Sequence, residues 1–280
     1  MQKLIQVGQK LNAFTVQFDE ALLNEIRLSY KQEVHHTLIT PQAKSILEGG
    51  VSRKELLQSG GEYFLVSYGK YPLLWLSSNT DKTYQIYRRF FDALKIEEHI
   101  KALVDYDKNL VIYCGFLVVG NQAPNPKWHV DYFPGANGYT LITPLFEIVP
   151  EHGNLLYKND QGADSIYQYR LGEAILFGDH FLHSTEPYAP SDRIRVLVSM
   201  TFGTDKIKYW DILKKTVGGQ SAYLVLPCGH LLGSCICSEL LKATTTSLYI
   251  KLMLFNRENL INLTTLLFLW AHRPGLEKQP

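Results

Sequence analysis

The chain has 280 residues, 46% hydrophobic and 20% charged, the proportions of a globular protein able to bury a sizeable core. Its 28 basic and 27 acidic residues leave a net charge of +1, which offers no electrostatic grip on nucleic acid or an anionic membrane and makes a small molecule the expected partner. Four cysteines are too few for a disulfide framework. The opening MQKLIQVGQKLNAF lacks the apolar run of a secretory signal, and no unbroken apolar stretch reaches the roughly 20 residues of a membrane span, so the expectation is a cytoplasmic protein.

Residues 1–105 read as mainly helical with strand insertions. Phe18 to Val34 carries Leu22, Leu23, Ile26 and Leu28 near helical spacing, behind the acidic Asp19 and Glu20. Gly60-Gly61 is a turn signal, and Tyr63 to Tyr68 follows as a short strand. Thr83 to Tyr106 is the strongest helix, with Tyr87, Phe90, Phe91, Leu94 and Ile100 on one apolar stripe.

From residue 110 short β-rich runs succeed one another at the spacing of a sandwich or barrel: Leu110–Val119, Trp128–Tyr132, Tyr139–Val149, Asn154–Lys158, Ser165–Arg170, Ala174–Phe177, Phe181–Glu186 and Ile194–Phe202. Turn clusters rich in Gly, Pro, Asn and Asp separate them. Eight such strands predict a mainly β protein, a jelly roll of the double-stranded β-helix or cupin-like kind, buttressed by the N-terminal helices. The expected organisation is one catalytic domain over 1–205, helical to about 105 and jelly roll beyond. Residues 206–280 form an extension of unassigned role, with Tyr209 to Lys215 as a helix packed back on the barrel.

The chemistry is concentrated in Trp128-His129-Val130-Asp131, answered 52 residues after Asp131 by His183. Residues i and i+2 of a strand share a face, so His129 and Asp131 both turn inward and Val130 outward. A histidine from a later strand completes three ligands on one side of a metal. Two neutral imidazoles and one carboxylate suit Fe(II) and leave half an octahedron open, two positions for a chelating 2-oxo acid and one for dioxygen. Among nine histidines about one His-x-acid pair arises by chance, so the pair alone is weak; the later histidine and the β-rich setting carry the reading.

A 2-oxo diacid also needs its far carboxylate held, which a guanidinium fork does bidentately. Arg193 and Arg195 stand ten and twelve residues after His183, and strand alternation puts both on the face of Leu197 and Ser199. Arg195 is favoured because Arg193 lies nearer the turn. Thr185 shares a face with His183 and offers a hydroxyl to the same carboxylate.

The segments WHVD, GNLLYK and GEAILFGDHFLHSTEPYAPSDRIRVLVSMTFG resemble the iron(II)/2-oxoglutarate-dependent oxygenase superfamily, most closely its phytanoyl-CoA-hydroxylase-type and related bacterial small-molecule hydroxylase branches. The resemblance covers roughly residues 110–205. It implies a double-stranded β-helix core, Fe(II) held by His129, Asp131 and His183, and 2-oxoglutarate anchored by Arg195. It also implies decarboxylation of 2-oxoglutarate to succinate, coupled to hydroxylation, desaturation or cyclisation of a small organic substrate. Aspartate at 131 speaks against the halogenase variant of the site. Many relatives carry the arginine one residue nearer the histidine, which keeps the choice between Arg193 and Arg195 open.

Other features carry less. His180 reads as a turn residue, and Trp128 and Tyr132 as packing or as the rim of a substrate mouth. Cys228, His230, Cys235 and Cys237 lack the paired spacing of structural zinc sites. No phosphate-cradling glycine loop or Gly-x-Ser-x-Gly elbow is present. The competing expectations are a catalytically silent cupin-like binding protein and a metalloenzyme on the same barrel that uses no cosubstrate.

Overall fold

The computed structural model describes residues 3–48, 56–59, 61–67, 73–120, 122–206, 208–210, 212–213 and 223. The Cys228–Cys237 cluster and almost all of the C-terminal extension lie outside the described residues. Five strands precede the barrel: β1 (Ile5–Gln6), β2 (Ala13–Gln17), β3 (Leu56–Ser59), β4 (Tyr63–Ser67) and β5 (Leu73–Ser78). Seven more build it: β6 (Val111–Val119), β7 (Gly138–Pro144), β8 (Leu155–Lys158), β9 (Asp164–Tyr167), β10 (Glu173–Phe177), β11 (His183–Thr185) and β12 (Arg195–Gly203).

The pairing pattern defines the architecture. A nine-stranded antiparallel sheet has the order β1-β2-β10-β7-β12-β6-β5-β4-β3, and a three-stranded sheet the order β11-β8-β9. His129 joins the small sheet through a single bridge to His183. Eight successive segments, from β6 through the His129 bridge to β12, therefore alternate between two facing sheets. The first, third, sixth and eighth lie in the large sheet and the others in the small one, which is a double-stranded β-helix. Each of the eight β-rich runs of the sequence corresponds to one of these segments; the Trp128–Tyr132 run shrinks to the one bridge. β2 on one side and β5, β4 and β3 on the other lengthen the large sheet beyond the barrel.

Alternation sorts the side chains of the large sheet. Ile112, Cys114, Phe116 and Val118 of β6, Leu141 of β7, Leu176 of β10 and Val196, Val198, Met200 and Phe202 of β12 face a helical layer, in one buried core with Leu23, Ile26, Tyr30, Tyr87, Phe90 and Phe91. Phe116 lies at its centre, its ring 5.4 Å from Tyr30, 5.1 Å from Tyr63 and 5.7 Å from Tyr87. The other face, with Ile142, Ile175, Phe177 and Leu197, closes against Leu155 of the small sheet. At Gly115 the backbones come so close that a Cβ would stand 2.0 Å from the carbonyl oxygen of Leu76.

The helical layer departs from the sequence expectation in two places. Asp81–Ala93 forms a helix capped by Thr80 and Thr83, each accepting a hydrogen bond from the other's backbone N–H. It stops at Lys95, whose φ of 52° is left-handed, and a second helix runs over Glu97–Leu103, so the single helix expected over 83–106 is two. Leu28, counted in the first apolar stripe, is exposed. A π-helical turn at Tyr30–Val34 ends that run. Residues 208–210 and 212–213 are helical, and Trp210 and Leu213 pack against Val111, Tyr113, Tyr132 and Ala136. Among the described residues no helix is long and apolar enough to cross a membrane.

Candidate metal centre

His129 and His183 face each other across the bridge, the N–H of each donating to the carbonyl of the other at 2.9 and 3.0 Å. That pairing holds the two rings with centroids 4.3 Å apart. Asp131, two residues beyond His129, brings its Oδ1 to 3.7 Å from His129 Nε2 and 3.6 Å from His183 Nε2. One ligand atom from each of the three residues falls within 4.8 Å of the others.

The atoms behind these three set their orientation. His129 Nδ1 lies 2.8 Å from the carbonyl oxygen of Lys127, and His183 Nδ1 lies 2.9 Å from that of Phe181. A carbonyl only accepts, so both rings carry their proton on Nδ1 and turn an Nε2 lone pair inward. Thr140 Oγ1 donates to Asp131 Oδ2 at 2.7 Å, so the other oxygen, Oδ1, faces the histidines. His183 is buried against the rings of Phe177 and Phe181, while His129 is more than half exposed. Burial holds the His183 pKa below its ordinary value; Asp131 opposes this and His129 adds to it. A divalent metal requires neutral imidazoles whose free lone pairs converge on it, backed by acceptors on the far nitrogen, and this donor set fits that requirement.

Arg195 begins β12 and is buried. Its Nη1 donates to the carbonyl of Gly153 and its Nη2 to Thr185 Oγ1 at 3.2 Å. Its Nε is buried without a hydrogen-bond partner among the described residues. The guanidinium lies 5.5 Å from the centre of the Tyr169 ring, and no carboxylate among the described residues pairs with it. Burial lowers its pKa, with Tyr169, Tyr188 and Glu186 opposing. Gly153 can offer its carbonyl because it adopts φ 72°; a Cβ there would stand 2.6 Å from Tyr188 and 2.7 Å from the carbonyl of Glu186.

Arg193 is elsewhere. It precedes the strand, so alternation does not reach it, and it is exposed with its backbone N–H on Ser191 Oγ. His180 is an exposed residue with φ 62°, a turn position. Tyr132 is 1% exposed and cannot rim a mouth, whereas Trp128 is half-buried under the ammonium of Lys158. Gly153, Tyr169 and Thr140 escaped the sequence reading. The glycine before the Asn154–Lys158 run was the one local sign of any of them.

Comparison with protein-family models and with curated proteins gives no match. Solved structures similar to this chain include a Pseudomonas putida prolyl-4-hydroxylase at 14% identity and TM-score 0.43, covering 70% of this chain and 94% of that one. HygX from Streptomyces hygroscopicus, with nickel and 2-oxoglutarate bound, is similar at 12% identity and TM-score 0.41, covering 69% and 83%. SnoK of nogalamycin biosynthesis, a non-haem α-ketoglutarate-dependent carbocyclase, is similar at 10% identity and TM-score 0.40, covering 69% and 79%. The alternation of eight segments between two sheets makes this chain a double-stranded β-helix protein, with two imidazoles and one carboxylate gathered at its rim.

Proposed function

We propose that the chain is a non-haem Fe(II) oxygenase that uses 2-oxoglutarate to hydroxylate, desaturate or cyclise a small organic substrate. The observation that carries this reading is the pairing of two features in one barrel. One is the inward-turned set of His129, His183 and Asp131; the other is a buried arginine with no acidic partner among the described residues.

The two features are separated by a useful distance. His183 and Thr185 are two residues apart on β11, roughly 7 Å along the strand, and Thr185 holds the guanidinium of Arg195. That span is comparable to a five-carbon diacid lying between a metal and an anion site. A buried cation without a counter-ion is costly, and a bound carboxylate offsets the cost. With Fe(II) bound, the centre would let dioxygen take four electrons, two as 2-oxoglutarate loses CO₂ to give succinate and two from the substrate C–H bond. The residues of this chain do the rest. His129, Asp131 and His183 would hold the metal, Arg195 and Thr185 would orient the distal carboxylate, and Phe177, Phe181 and Tyr169 line the buried side and exclude water.

The test is an anaerobic titration of the metal-free protein with Fe(II) and 2-oxoglutarate, followed by visible absorbance. Chelation gives a weak charge-transfer band that requires both additions and disappears in His129→Ala. Iron binding without a band would overturn the cosubstrate assignment and favour an oxygenase without cosubstrate or a silent binding protein.

A further inference from the structure

We infer that Thr140 and Tyr132 are positioning residues for the metal centre, a pair of hydrogen-bonded hydroxyls that fixes which oxygen of Asp131 turns towards the two histidines. The inference rests on reading His129, Asp131 and His183 as metal ligands, and is independent of 2-oxoglutarate.

The arrangement of the pair follows from what each group can donate. Ionised Asp131 only accepts, so the single hydroxyl proton of Thr140 goes to Oδ2, at 2.7 Å. Thr140 Oγ1 also stands 3.2 Å from Tyr132 Oη, oriented to donate to it, so the phenol oxygen holds the threonine hydroxyl from the side opposite the closer carboxylate. Tyr132 is fully buried, so its hydroxyl needs partners within the protein.

The strand register extends the pair sideways. Thr201 of β12 is directly opposite Thr140 of β7 on one side and Tyr113 of β6 on the other. Tyr113 and Tyr132 both bring their hydroxyls towards Thr201, and Tyr132 is hydrogen-bonded to Thr140. These are polar side chains in one row of a buried sheet face, each at most 4% exposed. Polar groups in such a place are costly unless the row is saturated, and Asp131 is the acceptor at its end. Trp210 and Leu213, from beyond the barrel, pack against Tyr113 and Tyr132. The segment after residue 205 thus supports the site.

The test is Co(II) binding to the metal-free protein, with wild type and His129→Ala as references. Thr140→Val keeps the shape and removes the hydroxyl; it should raise the Co(II) Kd about 10–100-fold, with Tyr132→Phe raising it less and Thr140→Ser within about threefold of wild type. Far-UV circular dichroism and the melting temperature of each metal-free variant check folding, and Tyr132→Phe, which removes one oxygen, carries the test if Thr140→Val does not fold. Wild-type affinity in both Thr140→Val and Tyr132→Phe overturns the inference and leaves the metal reading intact, as does a Thr140→Ser as weak as Thr140→Val. Failure of the wild type to bind Co(II) overturns the metal reading and this inference with it.

Discussion

His129 and His183 are joined by two backbone hydrogen bonds of 2.9 and 3.0 Å, yet the first is exposed and the second buried against two phenylalanines. The two candidate ligands therefore differ in what they do for the fold. His129→Ala should leave metal-free stability within about 0.5 kcal/mol of wild type, while His183→Ala should cost about 1–3 kcal/mol by opening a hole beside Phe177 and Phe181. Both should abolish tight Co(II) binding. Urea unfolding of the metal-free variants, followed by metal titration, separates the two effects.

The same burial gives His183 a pH signature. Its folded-state pKa lies below the ordinary 6.5, so between those two values the unfolded chain binds the proton and the folded chain does not. Stability of the metal-free protein should be fully present above pH 6.5 and fall as pH drops from there towards the folded-state pKa. Urea midpoints of wild type and His183→Leu at pH 7.5 and 5.5 check this. The variant should show the smaller loss on acidification, and an equal loss would assign the dependence to other groups.

Arg195 and Arg193 should respond differently to truncation. Arg195→Ala removes a buried cation and should raise the 2-oxoglutarate Kd by at least about thirtyfold. Arg193→Ala, an exposed change before the strand, should leave that Kd within about twofold of wild type. Isothermal titration in the presence of Mn(II) measures both, and a large effect at Arg193 would reverse the assignment.

Gly153 ties the arginine to the backbone. Gly153→Ala places a Cβ against Tyr188 and the Glu186 carbonyl at a positive φ, and should destabilise by about 1–3 kcal/mol. It should also weaken 2-oxoglutarate binding, because the carbonyl that holds Arg195 moves. Thermal unfolding and the same titration read the two consequences in one preparation.

On the face of β6 that meets the helical layer, Phe116 is fully buried against three tyrosine rings. Phe116→Ala should cost about 3–5 kcal/mol. A denaturant unfolding curve measures the loss.

The sequence by itself determined the barrel and the order of its parts at the level of local pattern. Period-2 apolar runs between Gly, Pro, Asn and Asp clusters marked all eight segments, because burial on one face and tight turns are written into neighbouring residues. His129, Asp131 and His183 stood out for the same reason, since a two-residue spacing on a strand fixes a shared face. Tertiary structure alone decided the rest. It placed the strand start at Arg195 and so separated it from Arg193, and it put Tyr132 inside the protein. It also stopped a helix at a lysine with positive φ and brought Gly153, Tyr169 and Thr140 to the site from three separate segments. Those outcomes depend on contacts between residues tens of positions apart, and local spacing carries no information about which distant groups share a buried volume.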